Sequence, residues 1–170
     1  PILLSEPVGL ALSLNIGIST LLSKGVGPVN YIGWIHPDMN FPQKDWLIKL
    51  VSYLERNLDC GKLSPENLRD PRVGDRPGNE TPWLMPRKVL EELRNKYGFY
   101  FDPEYRGIGG YEDWDLIKSI LDCGYTVMIT GDTTIMHEGM ATRRCTTQVS
   151  DPGFNSAYYS SKWGTNLPPV

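Results

Sequence analysis

Residues 106–130 read RGIGGYEDWDLIKSILDCGYTVMIT. Gly107, Gly109 and Gly110 form a turn in which the backbone can take positive φ and come close to a ligand. Glu112, Asp113 and Asp115 then place carboxylates at a helix start, where the dipole favours negative charge. Leu116, Ile117, Ile120 and Leu121 give an apolar face to a helix over residues 115–122, and Gly124 ends it. Tyr125-Thr126-Val127-Met128-Ile129-Thr130 follows, with the β-branched and aromatic content of a strand. Turn, helix and strand in immediate succession indicate an α/β fold. Capping and catalysis account for the three acids equally well at this stage.

Upstream, residues 8–24 carry Leu10, Leu14 and Ile18 at near-helical spacing, with Asn15 and Gly17 in the middle. Gly9 and Gly17 suggest close packing or close ligand approach there. Residues 30–35 read as a buried strand ending in His36-Pro37-Asp38, and residues 44–57 as a helix with Trp46, Leu47, Leu50, Val51 and Leu54 on one face. The turn beyond a strand's carboxyl end is where ligands bind in open α/β sheets. Residues 59–81 lack periodicity and read as a long loop. Residues 1–4 and 82–86 could be short strands, and residues 87–97 form an amphipathic helix stopped by Gly98. Downstream of 131 the sequence is polar and reads as loop-rich, so the expectation is one domain over 1–170.

The chain has 170 residues, enough for one domain with a real core. A net charge of −3 leaves no basic stripe for a phosphate backbone, which excludes a general nucleic-acid binder. Arg143-Arg144 is a local doublet that could meet a single phosphate or simply face water. Cys60, Cys123 and Cys145 form neither a disulfide framework nor a zinc pattern, which fits a cytoplasmic setting. No apolar run reaches membrane-span length. Pro1 is not an initiator methionine, so the natural beginning is expected upstream.

Only two histidines occur, His36 and His137, each following a strand and standing near an acid. Such residues can be surface turns. Asp38, His137 and His36 could also supply oxygen and nitrogen ligands to a divalent metal, although their spacing lacks the tight pattern of a specific metal motif.

The ordered segments GLALSLNIGIS, YIGWIHPDMNFPQKDWLIKLV, PWLMPRKVLEEL, GGYEDWDLIKSILDCGYTVMI, HEG and KWG resemble the carboxyl-terminal two thirds of family 2 glycosyltransferases. The resemblance implies a GT-A-like (Rossmann-like) α/β fold, a mixed sheet flanked by helices, lacking the amino-terminal nucleotide-binding strands. It implies a metal-dependent inverting transfer of a sugar from a nucleoside diphosphate sugar to a hydroxyl acceptor on a glycan, lipid or protein. His36-Pro37-Asp38 resembles the family's acidic motif, with Asp38 matching the ligand of Mn²⁺ or Mg²⁺ and His36 standing where the family has an acid. His137 resembles the family's later metal or diphosphate contact. Glu112-Asp113 matches the Glu-Asp motif, which makes Asp113 the general base and Glu112 its neighbour. Asp115 is left as a helix-start acid.

Asn15, Gly109, Gly110 and Trp114 are the candidates for contact with substrate, Trp114 as an apolar wall for a sugar ring or simply as a core residue. Without the family's first strands, the sheet should expose an edge that rearrangement, loop burial or a homo-oligomer would cover. A non-catalytic sugar or nucleotide-sugar binding module is the rival reading. A nucleotidyltransferase normally needs a glycine-rich phosphate loop with a basic residue, and no such loop occurs in this sequence.

Overall fold

The computed structural model describes residues 9–23, 29–36, 39–67, 82–107, 110–137 and 151–165. Among them, in chain order, are α1 (Leu10–Ser23), β1 (Tyr31–Trp34), β2 (Met39–Asn40), α2 (Trp46–Arg56), β3 (Cys60–Asn67), β4 (Trp83–Pro86), α3 (Arg87–Tyr97), α4 (Glu112–Asp122), β5 (Thr126–His137) and α5 (Pro152–Trp163). The expected α/β class, a mixed sheet flanked by helices, is what these residues form.

Alternation along β4 shows the layering, because successive strand side chains point to opposite faces. Trp83 and Met85 join an apolar cluster with Ala11, Leu14 and Ile18 of α1, Val89, Leu90 and Leu93 of α3, and Leu116 and Ile120 of α4. Leu84, between them, joins Leu50 and Leu54 of α2 with Cys60 and Leu63 of β3. Helices therefore cover both faces. Each fully buried leucine among these stabilises the fold by about 2 kcal/mol relative to exposure.

The strands pair in the order β1-β4-β3-β5-β2. β4 is antiparallel to both β1 and β3, and β3 is parallel to β5. So β1, β3 and β5 run in one direction and finish at the same end of the sheet. β1 stands at one side of the order with β4 as its neighbour; Ile32 is buried, Tyr31 and Trp34 are only partly covered, and Gly33 is exposed. No helix among the described residues is long and apolar enough to cross a membrane.

Three features differ from the sequence reading. Residues 60–67, expected in a loop, are the central strand β3, and residues 60–65 are all buried. A strand covered on both faces shows no alternation, and Gly61 and Pro65 mimic a loop. Pro65 sits at an irregularity: it pairs with Thr130, whereas Glu66 pairs with Thr134, so Gly131, Asp132 and Thr133 bulge from β5. Secondly, β5 continues past Thr130 to His137, and the polar region after it contains the helix α5. α5 escaped notice because its inward residues include Asn155, Tyr159 and Lys162 rather than an apolar stripe. Thirdly, Leu47 and the neighbouring Ile48 are exposed on α2, which buries only Leu50 and Leu54.

Gly9, which precedes α1, and Gly17, within it, differ. A Cβ on Gly9 would meet the carbonyl oxygen of Gly107 at 3.3 Å, as close packing requires, whereas no described atom lies within 4 Å of one on Gly17. The expected strand at residues 1–4 and most of the expected loop, 68–81, lie outside the described residues.

Candidate active site

α4 and β5 form a helix–strand hairpin joined by the short turn at Cys123 and Gly124, so the start of α4 lies toward the end of the sheet where β5 finishes. The chain enters α4 through Gly107 at φ 78°, Gly110 at φ 128° and Tyr111 at φ 74°. Glycine tolerates this region; tyrosine is strained there. Strain of this kind persists only where the surroundings enforce it, and it concentrates at functional sites. Here the Tyr111 ring packs edge-on against Trp114 at 4.8 Å and tilted against Tyr159 at 5.5 Å. On the upstream side, the Leu10 N–H donates to the Gly107 carbonyl at 3.2 Å.

Tyr111 is the N-cap of α4 and makes no side-chain cap hydrogen bond. The three acids lie after it, within the first turn. Glu112 and Asp115 are 3% and 1% exposed, while Asp113 keeps part of its surface accessible. Among the three, Asp113 is the one a substrate can reach.

Asp115 is more than a helix-start acid. Its carboxylate accepts from the Tyr105 hydroxyl at 3.2 Å and the Trp163 indole N–H at 2.7 Å, and Lys162 Nζ lies 2.9 Å from one of its oxygens. Burial raises its pKa above the ordinary carboxylate value, outweighing the hydrogen bond and charge of Lys162 and the indole N–H. Burial also pushes the Tyr105 hydroxyl upward, helped by the negative charge of Asp115. Lys162 reaches a second buried carboxylate, Asp102, at 2.7 Å, and the Tyr158 hydroxyl donates to that same oxygen at 2.9 Å. Sequence reading singled out Lys162 and Trp163 only as part of KWG; Asp102 carried no signal, being an acid before a proline.

The two histidines meet. The rings of His36 and His137 are 5.4 Å apart, centre to centre, and Trp34 lies edge-on to His36 at 5.5 Å. The cause is topological: after β1 the chain crosses to β2, whose Met39 pairs with His137 of β5. The two rings are tilted by 54° to one another, an ordinary ring contact. Asp38, the expected third ligand, lies outside the described residues, as does Gly109. Among the described residues no group of three or more His, Cys, Asp or Glu is arranged to hold a metal.

Comparison with family models, curated proteins and solved structures gives no match.

The remaining candidates separate by surroundings. Asn15 is engaged by the main chain: its Nδ2 donates to the Phe101 carbonyl at 2.6 Å, and its Oδ1 accepts from the N–H groups of Tyr100 and Phe101. That pins the segment before the glycine turn to α1 and occupies both ends of the amide. Trp114 stands half-buried in an aromatic cluster with Tyr111 and Tyr159. Gly110 has open space, with Nδ2 of Asn155 nearest at 3.9 Å from a Cβ built there.

The vertical offset between the two halves of the site follows from element lengths. α4 rises about 16 Å over its 11 residues, which puts its start level with about Thr130 on the returning strand. From there the ladder advances by one rung to Thr134 and by three residues to His137, on the order of 13 Å. Along the strand direction, the start of α4 is thus offset by about 13 Å from the imidazoles at the end of β5.

Proposed function

We propose that this chain is a metal-dependent inverting glycosyltransferase, or a portion of one, moving a sugar from a nucleoside diphosphate to a hydroxyl acceptor. The observation that carries the reading is the meeting of His36 and His137, residues from distant segments, where β2 pairs with the end of β5. The order of the motifs along the chain adds to it, with a GT-A-like arrangement as the finer form of the observed α/β fold.

Asp113 takes the proton from the acceptor hydroxyl as its oxygen attacks the anomeric carbon. One accessible carboxylate is enough for a single displacement. Glu112, buried beside it, supports the turn, and the half-buried Trp114 gives the sugar an apolar wall. His36 and His137, with Asp38, would hold Mn²⁺ or Mg²⁺, which when bound neutralises negative charge on the departing diphosphate.

The test is transfer from a panel of nucleotide sugars with Mn²⁺, comparing the native protein with Asp113→Asn. Turnover should fall by roughly 10²-fold or more while donor binding by calorimetry stays within a factor of two or so. A wild-type rate in the variant removes Asp113 as base. Binding of a nucleotide sugar without turnover in the native protein would favour the non-catalytic binding module.

A further inference from the structure

The start of α4 is fixed from outside itself. Its N-cap is a strained tyrosine with no side-chain cap bond, and α5 supplies the missing restraints. Asn155 is fully buried and brackets Arg106 before the glycine turn: its Oδ1 accepts from the Arg106 N–H at 2.9 Å, and its Nδ2 donates to the Arg106 carbonyl at 3.0 Å. Two turns later along α5, Lys162 Nζ lies between Asp102, before the turn, and Asp115, after it. Trp163 adds the indole N–H to Asp115. The ammonium is also close to the Phe99 and Trp163 rings, at 5.2 and 5.4 Å from their centres.

The geometry points to Lys162 as a positioning residue that clasps both sides of the glycine turn, through Asp102 and Asp115, and thereby sets where Asp113 stands. This rests on the reading of Asp113 as the base. Both carboxylates are at most 3% exposed, so water replaces little of what the ammonium supplies. Without it, two buried like charges repel, and the turn has to open or one acid has to take up a proton. A base displaced by about 1 Å can lose as much as 10²-fold in rate with no loss of substrate binding.

The experiment compares Lys162→Met, Lys162→Arg, Trp163→Phe and the double variant Lys162→Met with Asp102→Asn in the full chain. Two readouts are taken: transfer kinetics with a nucleotide sugar and Mn²⁺, and hydrogen exchange of the amides at 110–116 against those of β3. For Lys162→Met, kcat should fall between about ten- and a hundredfold with KM for the donor unchanged, and exchange should quicken at 110–116 alone. Lys162→Arg should keep most of the rate. The double variant should recover part of it, because one charge of the repelling pair is gone.

Trp163→Phe, which loses only the indole donor, should move both readouts in the same direction by less, and it serves if Lys162→Met does not fold. Native kcat and native exchange in the lysine and tryptophan variants overturn the proposal, as does a folded double variant no better than Lys162→Met. If the native protein transfers no sugar, the functional reading fails by itself. The clasp is then decided by exchange: quickening at 110–116 upholds it, and no change removes it.

Discussion

A Cβ built at Gly61 would stand 2.7 Å from Cγ2 of Ile120 and 2.8 Å from Cβ of Tyr125, closer than carbon atoms approach. Gly61→Ala should therefore destabilise the protein by about 1–3 kcal/mol, seen as a lower urea midpoint with unchanged slope. The neighbouring Cys60 gives a chemical test of the same packing. Burial pushes its thiol up to about 11, so at neutral pH it is a buried thiol rather than a nucleophilic thiolate. Peptide mapping after brief alkylation should find Cys60 unmodified in the native protein and modified in urea; labelling of the native protein at Cys60 would contradict its place under α2.

Asp115 has a further consequence at this scale. Its folded pKa is raised above the ordinary 3.8, so the folded state holds this proton more tightly than the unfolded state. The stabilisation is full below that ordinary value and is lost as pH rises from about 4 through the folded value. Denaturant midpoints measured along that range should show a downward slope that Asp115→Asn removes. An unchanged slope in the variant would assign it to other groups.

At the scale of elements, legibility followed the kind of surface each element buries. α1, α2 and α3 were readable because apolar residues recur on one face, and β4 because proline and tryptophan bound a short apolar run. β3 was not, since a strand covered on both sides has no period to detect and its Pro65 is tolerated only at the bulge opposite Thr130. α5 was hidden for a different reason: it faces polar main chain and buried carboxylates, so its inward side had to be polar. The helix has a local anchor in Asp151, whose carboxylate accepts from the Phe154 N–H at 3.0 Å. Asp151→Ala should cost about 1 kcal/mol and quicken exchange in α5 first, before the central strands respond.

Across the whole molecule, the histidines, the glycine turn and Asp113 stand out in the sequence as local features, whereas their mutual arrangement depends on long-range pairing. The meeting of His36 with His137 needs β1 and β5, which have two strands between them in the sheet, and the crossing from β1 to β2 that no local pattern records. A cation bound by both imidazoles would stabilise the entire fold by mass action, by about 2.7 kcal/mol at a hundred times its Kd. Mn²⁺ should accordingly raise the thermal midpoint of the native protein in proportion to its logarithmic excess, and His137→Ala should abolish that rise; an equal rise in the variant would place the ion elsewhere.

The clasp by α5 also imposes an order of events on a growing chain. Lys162 lies 47 residues after Asp115, and the five strands among the described residues precede α5. During synthesis the sheet can pair while the turn at Tyr111 is still unrestrained by Asn155, Lys162 and Trp163. The part of the molecule that sets the geometry of Asp113 is therefore completed after its scaffold, and a nascent chain halted before α5 carries the acid without the grip that aims it.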